Sequence, residues 1–346
     1  MSDLIDLSSD TCTRPSAAML AAMANAKVGD ESKGRDPSVT ALCERVANLL
    51  GQQAAMFLPS GTMCNTIAAM VHCTPGSEVI AAQSSHVEAS ESGAIAAFAR
   101  ARLVTVPTTD GTFAPQDIER LMHPSKGTRA PQVSGIFAEQ THNRCGGSAW
   151  DEDQLMKLGK FARINDIAFH IDGARIMNAA IALNVEPAAF GRHADSVWMS
   201  FTKGLGCPVG SVLAGSKAFV EAAWEWKFRF GGGMRQAGVL AAACLYALDH
   251  NVERLAEDHA NAAVLAMRLA KIDGVELLWP EPGTNMVFFD ITKPQTNTDA
   301  LTQRLAKRGI RFGIEGPLRF RAVTHLDVST SDMGTVAEAL AQELAR

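Results

Sequence analysis

Between about residues 36 and 245, apolar stretches of strand length alternate with segments of helical periodicity, and this alternation restricts the fold more than any other feature of the chain. Repeated strand-helix units build an α/β domain with a mostly parallel sheet, because parallel neighbours need a crossover between them. Strands are expected at 78–82, 102–107, 132–138, 168–172, 196–201 and 210–214. A helix at 38–50 presents Val39, Leu42, Val46, Leu49 and Leu50 on one face and stops at Gly51. Since 346 residues exceed what one core usually holds, roughly 250–300, a second unit is expected. A long helical stretch over 236–271 leads into strands at 275–279, 285–291 and 318–323, with helices near 298–308 and 331–345. The division that follows is an N-terminal segment 1–15, a large domain 16–245 and a small C-terminal α+β domain 246–346.

Composition removes several functions. The formal net charge is −5 and no long Lys/Arg run is present, so neither nucleic acid nor an anionic membrane surface is an expected partner. Seven scattered cysteines without a C-x-x-C pair argue for reduced thiols in a cytoplasmic protein and against disulfides or a zinc site; no metal is expected. No apolar run reaches the ~18 residues of a membrane span.

Three segments carry chemistry. FHIDGARIMNA (169–179) ends a strand on Asp172 and brings Arg175 into the next turn, where open α/β sheets place ligands. SFTKGLGCPVGS puts Lys203 in a constrained turn just after another strand. PSGTMCN opens a helix with Ser60, Gly61 and Thr62, whose backbone N–H groups suit a phosphate. Each alone has a plainer reading, as a strand-end ion pair, a solvated turn or a helix cap. In order, a phosphate seat, His86, a strand-end aspartate and a lysine are the parts that hold pyridoxal 5'-phosphate (PLP). Met63, Met177 and Met234 read as core packing.

The chain resembles the low-specificity L-threonine aldolases, fold-type I PLP-dependent enzymes. The resemblance runs through IDLSSDTCTRPS, VGDESKGRDPSV, FLPSGTMCN, SSHVEASESGA, EQTHNRCGG, HIDGARIMNA, FTKGLGCPVGS, FGGGMRQAGVLAAA, TNMVFF and AVTHLDVS, nearly the whole length. It implies a fold-type I architecture, with Lys203 bonded to the cofactor and Asp172 on the pyridine nitrogen. It further implies His86 stacked on the ring, Gly61 and Thr62 at the phosphate, and Ser9, Arg175 and Arg321 on the substrate carboxylate. By the same likeness Arg235 reaches the phosphate of a neighbouring subunit, so a homo-oligomer, dimer or tetramer, with shared active sites is expected. The implied activity is cleavage of L-threonine, L-allo-threonine or a related β-hydroxy-α-amino acid to glycine and an aldehyde. A β-elimination, racemase or transaminase activity, or PLP binding without turnover, is the alternative. His86, His142 or a water held by either is the candidate base; His142 equally suits a structural loop role.

The pattern departs from the family at Ser8, where an arginine is usual, and across Asp30–Pro37, where Lys33 replaces a tyrosine and Arg35 an acid. Lys33 is therefore a candidate substrate-binding residue that favours an acidic side chain. The alternative pairs Lys33 and Arg35 with Asp30, Glu31 or Asp36 as loop charges.

Overall fold

The computed structural model describes residues 4–122 and 130–346. Its strands, in chain order, are β1 (Ile5–Leu7), β2 (Ala54–Leu58), β3 (Glu78–Ala82), β4 (Arg102–Val106), β5 (Val133–Glu139), β6 (Ala168–Gly173), β7 (Ser196–Ser200), β8 (Ser211–Gly215), β9 (Val275–Leu277), β10 (Met286–Ile291), β11 (Ile310–Gly316) and β12 (Arg319–Val323). Two sheets result.

The larger sheet has seven strands in the order β2-β8-β7-β6-β5-β3-β4. Neighbours from β7 through β4 run parallel, while β8 is antiparallel to both β7 and β2. β3, β7 and β8 are buried along their whole length, as expected for strands covered by helices on both faces. The smaller sheet, β1-β11-β12-β10-β9, is antiparallel except that β1 pairs parallel with β11, Ile5 opposite Ile310. The extreme N-terminus is thereby tied to the C-terminal sheet.

Local sequence explains the helices that frame the site. The helix Pro37–Leu49 starts on Asp36, whose carboxylate accepts from Val39 N at 3.0 Å, with proline in its first turn. The helix Gly61–His72 is capped by Ser60 Oγ on Met63 N and buries Cys64, Asn65, Ile67 and Ala68 on its sheet side. The helical stretch expected over 236–271 is two helices, Gly238–His250 and Leu255–Leu269. Leu255 belongs to the core under the large sheet, whereas Ala262, Leu265 and Leu269 pack under the small one, so this helix joins the two cores.

Candidate active site

Strand register assembles the centre of the site. Glu139 at the end of β5 is paired with Asp172 on β6, and Asp172 with Trp198 on β7, so all three side chains project to one face near the carboxyl ends of the strands. On that face Asn65, one turn into the helix Gly61–His72, donates from Nδ2 to Asp172 Oδ2 and to Glu91 Oε1, each at 2.7 Å. Asp172 Oδ1 accepts from Ala174 N at 3.0 Å. His86 Nδ1 lies 2.8 Å from Glu91 Oε1, and its backbone N–H donates to Glu139 Oε2 at 2.7 Å. Burial pushes the Asp172 carboxyl up to about 6, Glu139 and Glu91 adding their charge, against His86 and the Asn65 amide. Glu91 Oε2 is buried without a partner among the described residues. His86 is raised above its ordinary range by its bond to Glu91. Negative charge thus exceeds what the local donors satisfy. Ligand atoms of His86, Glu91 and Asp172 lie within 4.8 Å of one another, but the Asn65 amide already spans the two carboxylates.

Lys203 follows β7 in a turn fixed by Thr13, whose hydroxyl donates to Lys203 O at 3.0 Å. Its Nζ stands 5.7 Å from the Trp198 ring centre. Burial, then the charge of Arg175, lowers its affinity for a proton below the usual lysine range, which favours the free amine needed for attack on an aldehyde. Trp198 also meets Gly61: a Cβ there would lie 2.1 Å from the ring, so only glycine lets the helix start this close. Ser60 Oγ is committed to the cap, so the first-turn backbone N–H groups and the exposed Thr62 side chain are the groups at this helix start that could meet an anion.

A cavity of about 250 Å³ opens beside Lys203, lined by Ser9, His86, Glu139, Arg175 and Arg321. Arg175 is buried and held by Asp10 through Nε–Oδ2 at 2.7 Å and Nη2–Oδ1 at 2.6 Å. Burial alone would raise the Asp10 carboxyl, but the Arg175 charge and hydrogen bonds outweigh it and bring it to about 2. Asn143 Oδ1 accepts from Arg175 Nη1 at 3.2 Å and from Arg321 Nη1 at 3.0 Å, bridging the two guanidinium groups. Arg321 Nε is buried and has no partner among the described residues. Ser9 Oγ accepts from Thr11 N at 3.2 Å, which sets its position at the cavity wall.

Lys203, Asp172, His86, Arg175, Arg321 and Ser9 therefore come together as the sequence suggests. Three others stand apart. His142 does not line the cavity: it is buried beneath Gly111, its ring nitrogens lack hydrogen-bond partners among the described residues, and Nε2 is 3.9 Å from Glu139 Oε2. Lys33 also lies outside the cavity of its own chain; it is exposed, with Nζ 3.9 Å from Asp30 Oδ2. The reason is Glu31, which turns inward to pair with buried Lys227 and accept from Met234 N, so Lys33 is directed to solvent. Arg235 is exposed as well, 3.4 Å from Asp30, and is absent from its own chain's cavity.

Sequence reasoning passed over Asp10, Asn65, Glu91, Glu139 and Asn143. Two signals were available: Asn65 falls four residues after Gly61, on the same helix face, and Glu139 ends a strand beside the Asp172 strand.

Residues 6–293 match the family model described as Beta-eliminating lyase. The chain is 41% identical over 333 residues to low-specificity L-threonine aldolase 1 of Arabidopsis thaliana, covering 95% of this chain and 93% of that one. It is 38% identical to the low specificity L-threonine aldolase of Escherichia coli K12, covering 96% and 97%. A solved structure of Leishmania major threonine aldolase superposes with a TM-score of 0.83 over 98% of this chain and 99% of that one, at 20% identity, a likeness of fold.

Proposed function

The chain belongs to the beta-eliminating lyase family, and from that premise we propose that it is a PLP-dependent lyase cleaving the Cα–Cβ bond of L-threonine, L-allo-threonine or a related β-hydroxy-α-amino acid to glycine and an aldehyde. The observation that carries this reading is the convergence of Lys203, Arg175, Arg321 and His86 on one cavity, with His86 bonded in turn to Glu91 of the Asp172–Asn65–Glu91 cluster.

The residues fit the cofactor. Asp172, pushed up to about 6 by burial and by Glu139 and Glu91, would be drawn toward its charged form by a protonated pyridine nitrogen, adding to what His86 already supplies. Lys203 would hold the cofactor covalently, His86 would cover its ring, and Gly61 and Thr62 would hold its phosphate. When bound, PLP supplies a sink for the electron pair released at Cα.

The protein's own groups then decide which bond is exposed to that sink. Arg321 and Arg175, set by Asn143 and Asp10, hold the substrate carboxylate together with Ser9 and fix the torsion about Cα. His86 lines the cavity and His142 does not, so His86 is the favoured side chain for taking the β-hydroxyl proton. Its Nδ1 faces Glu91, which leaves Nε2 to accept that proton, directly or through a water.

Arg235, outside its own chain's cavity, supports an oligomer in which a second copy completes the site; sedimentation against lyase activity tests this. No helix among the described residues is long and apolar enough to cross a membrane, and all seven cysteines are free, which supports a cytoplasmic setting. The experiment for the function is product identification: glycine and an aldehyde in equal amounts, with borohydride fixing the cofactor to Lys203.

A further inference from the structure

Behind Asn65, away from the cavity, a file of polar side chains crosses the otherwise apolar layer between the helix Gly61–His72 and the large sheet. Asn65 Oδ1 accepts from Trp198 Nε1 at 2.7 Å and lies 3.1 Å from His170 Nε2. His170 Nδ1 is 2.7 Å from Ser196 Oγ, and Ser196 Oγ is 2.7 Å from His72 Nε2. His170 and Ser196 are paired on β6 and β7, two residues before Asp172 and Trp198, so the file runs along one face of the sheet. His170 and Ser196 are fully buried. His72 closes its helix, stacks on Phe219 at 4.8 Å and lines a surface cavity of about 970 Å³ at the amino ends of the strands. The active site and this second cavity are thus linked by five consecutive polar side chains, ending at Asp172.

Chemistry fixes the direction of every hydrogen bond. An indole nitrogen can only donate, so the Asn65 atom facing Trp198 is oxygen and its NH₂ faces Asp172 and Glu91, which can only accept when ionised. His170 must then carry hydrogen on Nε2. Burial keeps both imidazoles neutral, His72 being lowered to about 4 despite Asp195 and His170 lowered well below its ordinary range, with His72 adding to the effect. A neutral His170 accepts at Nδ1, so Ser196 donates to it and accepts from His72 Nε2–H. The order is His72 to Ser196 to His170 to Asn65 to Asp172, donors all pointing one way. An amide does not relay protons under these conditions, so the file orients and polarises rather than conducts.

We propose that His72, Ser196, His170 and Asn65 are positioning residues, a one-way donor chain that supports the Asp172 carboxylate from the opposite edge of the sheet and couples it to the cavity at His72. The proposal rests on reading Asp172 as the partner of the cofactor's ring nitrogen. Asp172 is also faced by Glu139 from β5, His86, Glu91, Arg175 and Lys203, while His72 faces Asp195.

The test uses apoprotein labelled with ¹⁵N-histidine and ¹³C-aspartate. At pH 7 both rings are expected to be neutral with hydrogen on Nε2. Ser196→Ala should remove the hydrogen bond at His170 Nδ1 and raise the Asp172 titration midpoint by about half a unit to one unit. Because Ser196 is fully buried, His72→Leu at the cavity edge is the second variant; it should move the midpoint the same way, and His72→Gln, which restores an N–H donor, should return it. A ring protonated on Nδ1 or doubly protonated at pH 7, or a midpoint unmoved in both Ser196→Ala and His72→Leu, overturns the chain. Failure of the functional reading would show elsewhere, as absence of glycine product with these spectra intact.

Discussion

Arg175 closes on Asp10 through two short hydrogen bonds, 2.7 Å from Nε and 2.6 Å from Nη2, joining the N-terminal segment to the turn after β6. Both groups are buried, so the aspartate fixes the guanidinium before any substrate arrives and leaves Nη1 toward Asn143. Asp10→Ala would strand a buried cation. We expect it to lower the unfolding free energy by about 3–5 kcal/mol in urea titrations and to raise KM. The Asp10 carboxyl is held at about 2, below its unfolded value, so its contribution is present above about pH 4 and fades as pH falls toward 2. An Asp10→Ala protein as stable as the parent at pH 7 would remove this pair from the framework of the site.

Asp172 gives the opposite pH dependence in the apoprotein. Its carboxyl is raised from 3.8 to about 6, chiefly by burial, so between those values the folded chain holds a proton that the unfolded chain releases. Stability from this group therefore falls as pH rises through about 4 to 6, by up to about 3 kcal/mol. Asp172→Asn should flatten that slope in urea unfolding of apoprotein measured from pH 4.5 to 7.5. An unchanged slope would show that Asp172 ionises freely.

The His86–Glu91 contact makes a prediction about rate. Glu91 raises the His86 proton affinity, so a base at Nε2 is freed only as pH climbs above the ordinary histidine range. The acidic limb of kcat/KM should therefore have a midpoint above 6.5 and move to lower pH in Glu91→Gln. If the limb stays in place in Glu91→Gln, the base is not His86.

Lys33 tests substrate charge. Since Lys33 is exposed beside Asp30, its net field is small, and exposed pairs of this kind contribute about 0–1 kcal/mol. Lys33→Tyr should alter the ratio of kcat/KM for β-hydroxyaspartate over threonine by less than about fivefold, on that same scale. A larger fall in the ratio would mean that Lys33 acts in a partner's cavity.

The central strands were legible because each is a short apolar run ending at a turn signal; β3 matches its expected span of 78–82, and β4 to β8 differ by a residue or two at their ends. β1 escaped notice because three residues pair with a strand about three hundred positions away, a relation that no local pattern carries. β2 escaped because AAMFL lacks β-branched residues. The break between Gly238–His250 and Leu255–Leu269 contains neither glycine nor proline, the usual stop signals. In the site, groups that act on a ligand were visible from motif and order. Groups that hold them were not: Asn65 acquires meaning only when Asp172 and Glu91 arrive from other elements, and Glu31 only when Lys227 does.

The most direct measurement is product stoichiometry. Purified protein and PLP are incubated with L-threonine, L-allo-threonine and other β-hydroxy-α-amino acids, and glycine, aldehyde, ammonia, keto acid and D-amino acid are quantified beside a Lys203→Ala control. The expected result is one glycine and one aldehyde per substrate consumed, with turnover and visible cofactor absorbance lost in Lys203→Ala. Ammonia with a keto acid, a D-amino acid, or undiminished turnover in Lys203→Ala would contradict it.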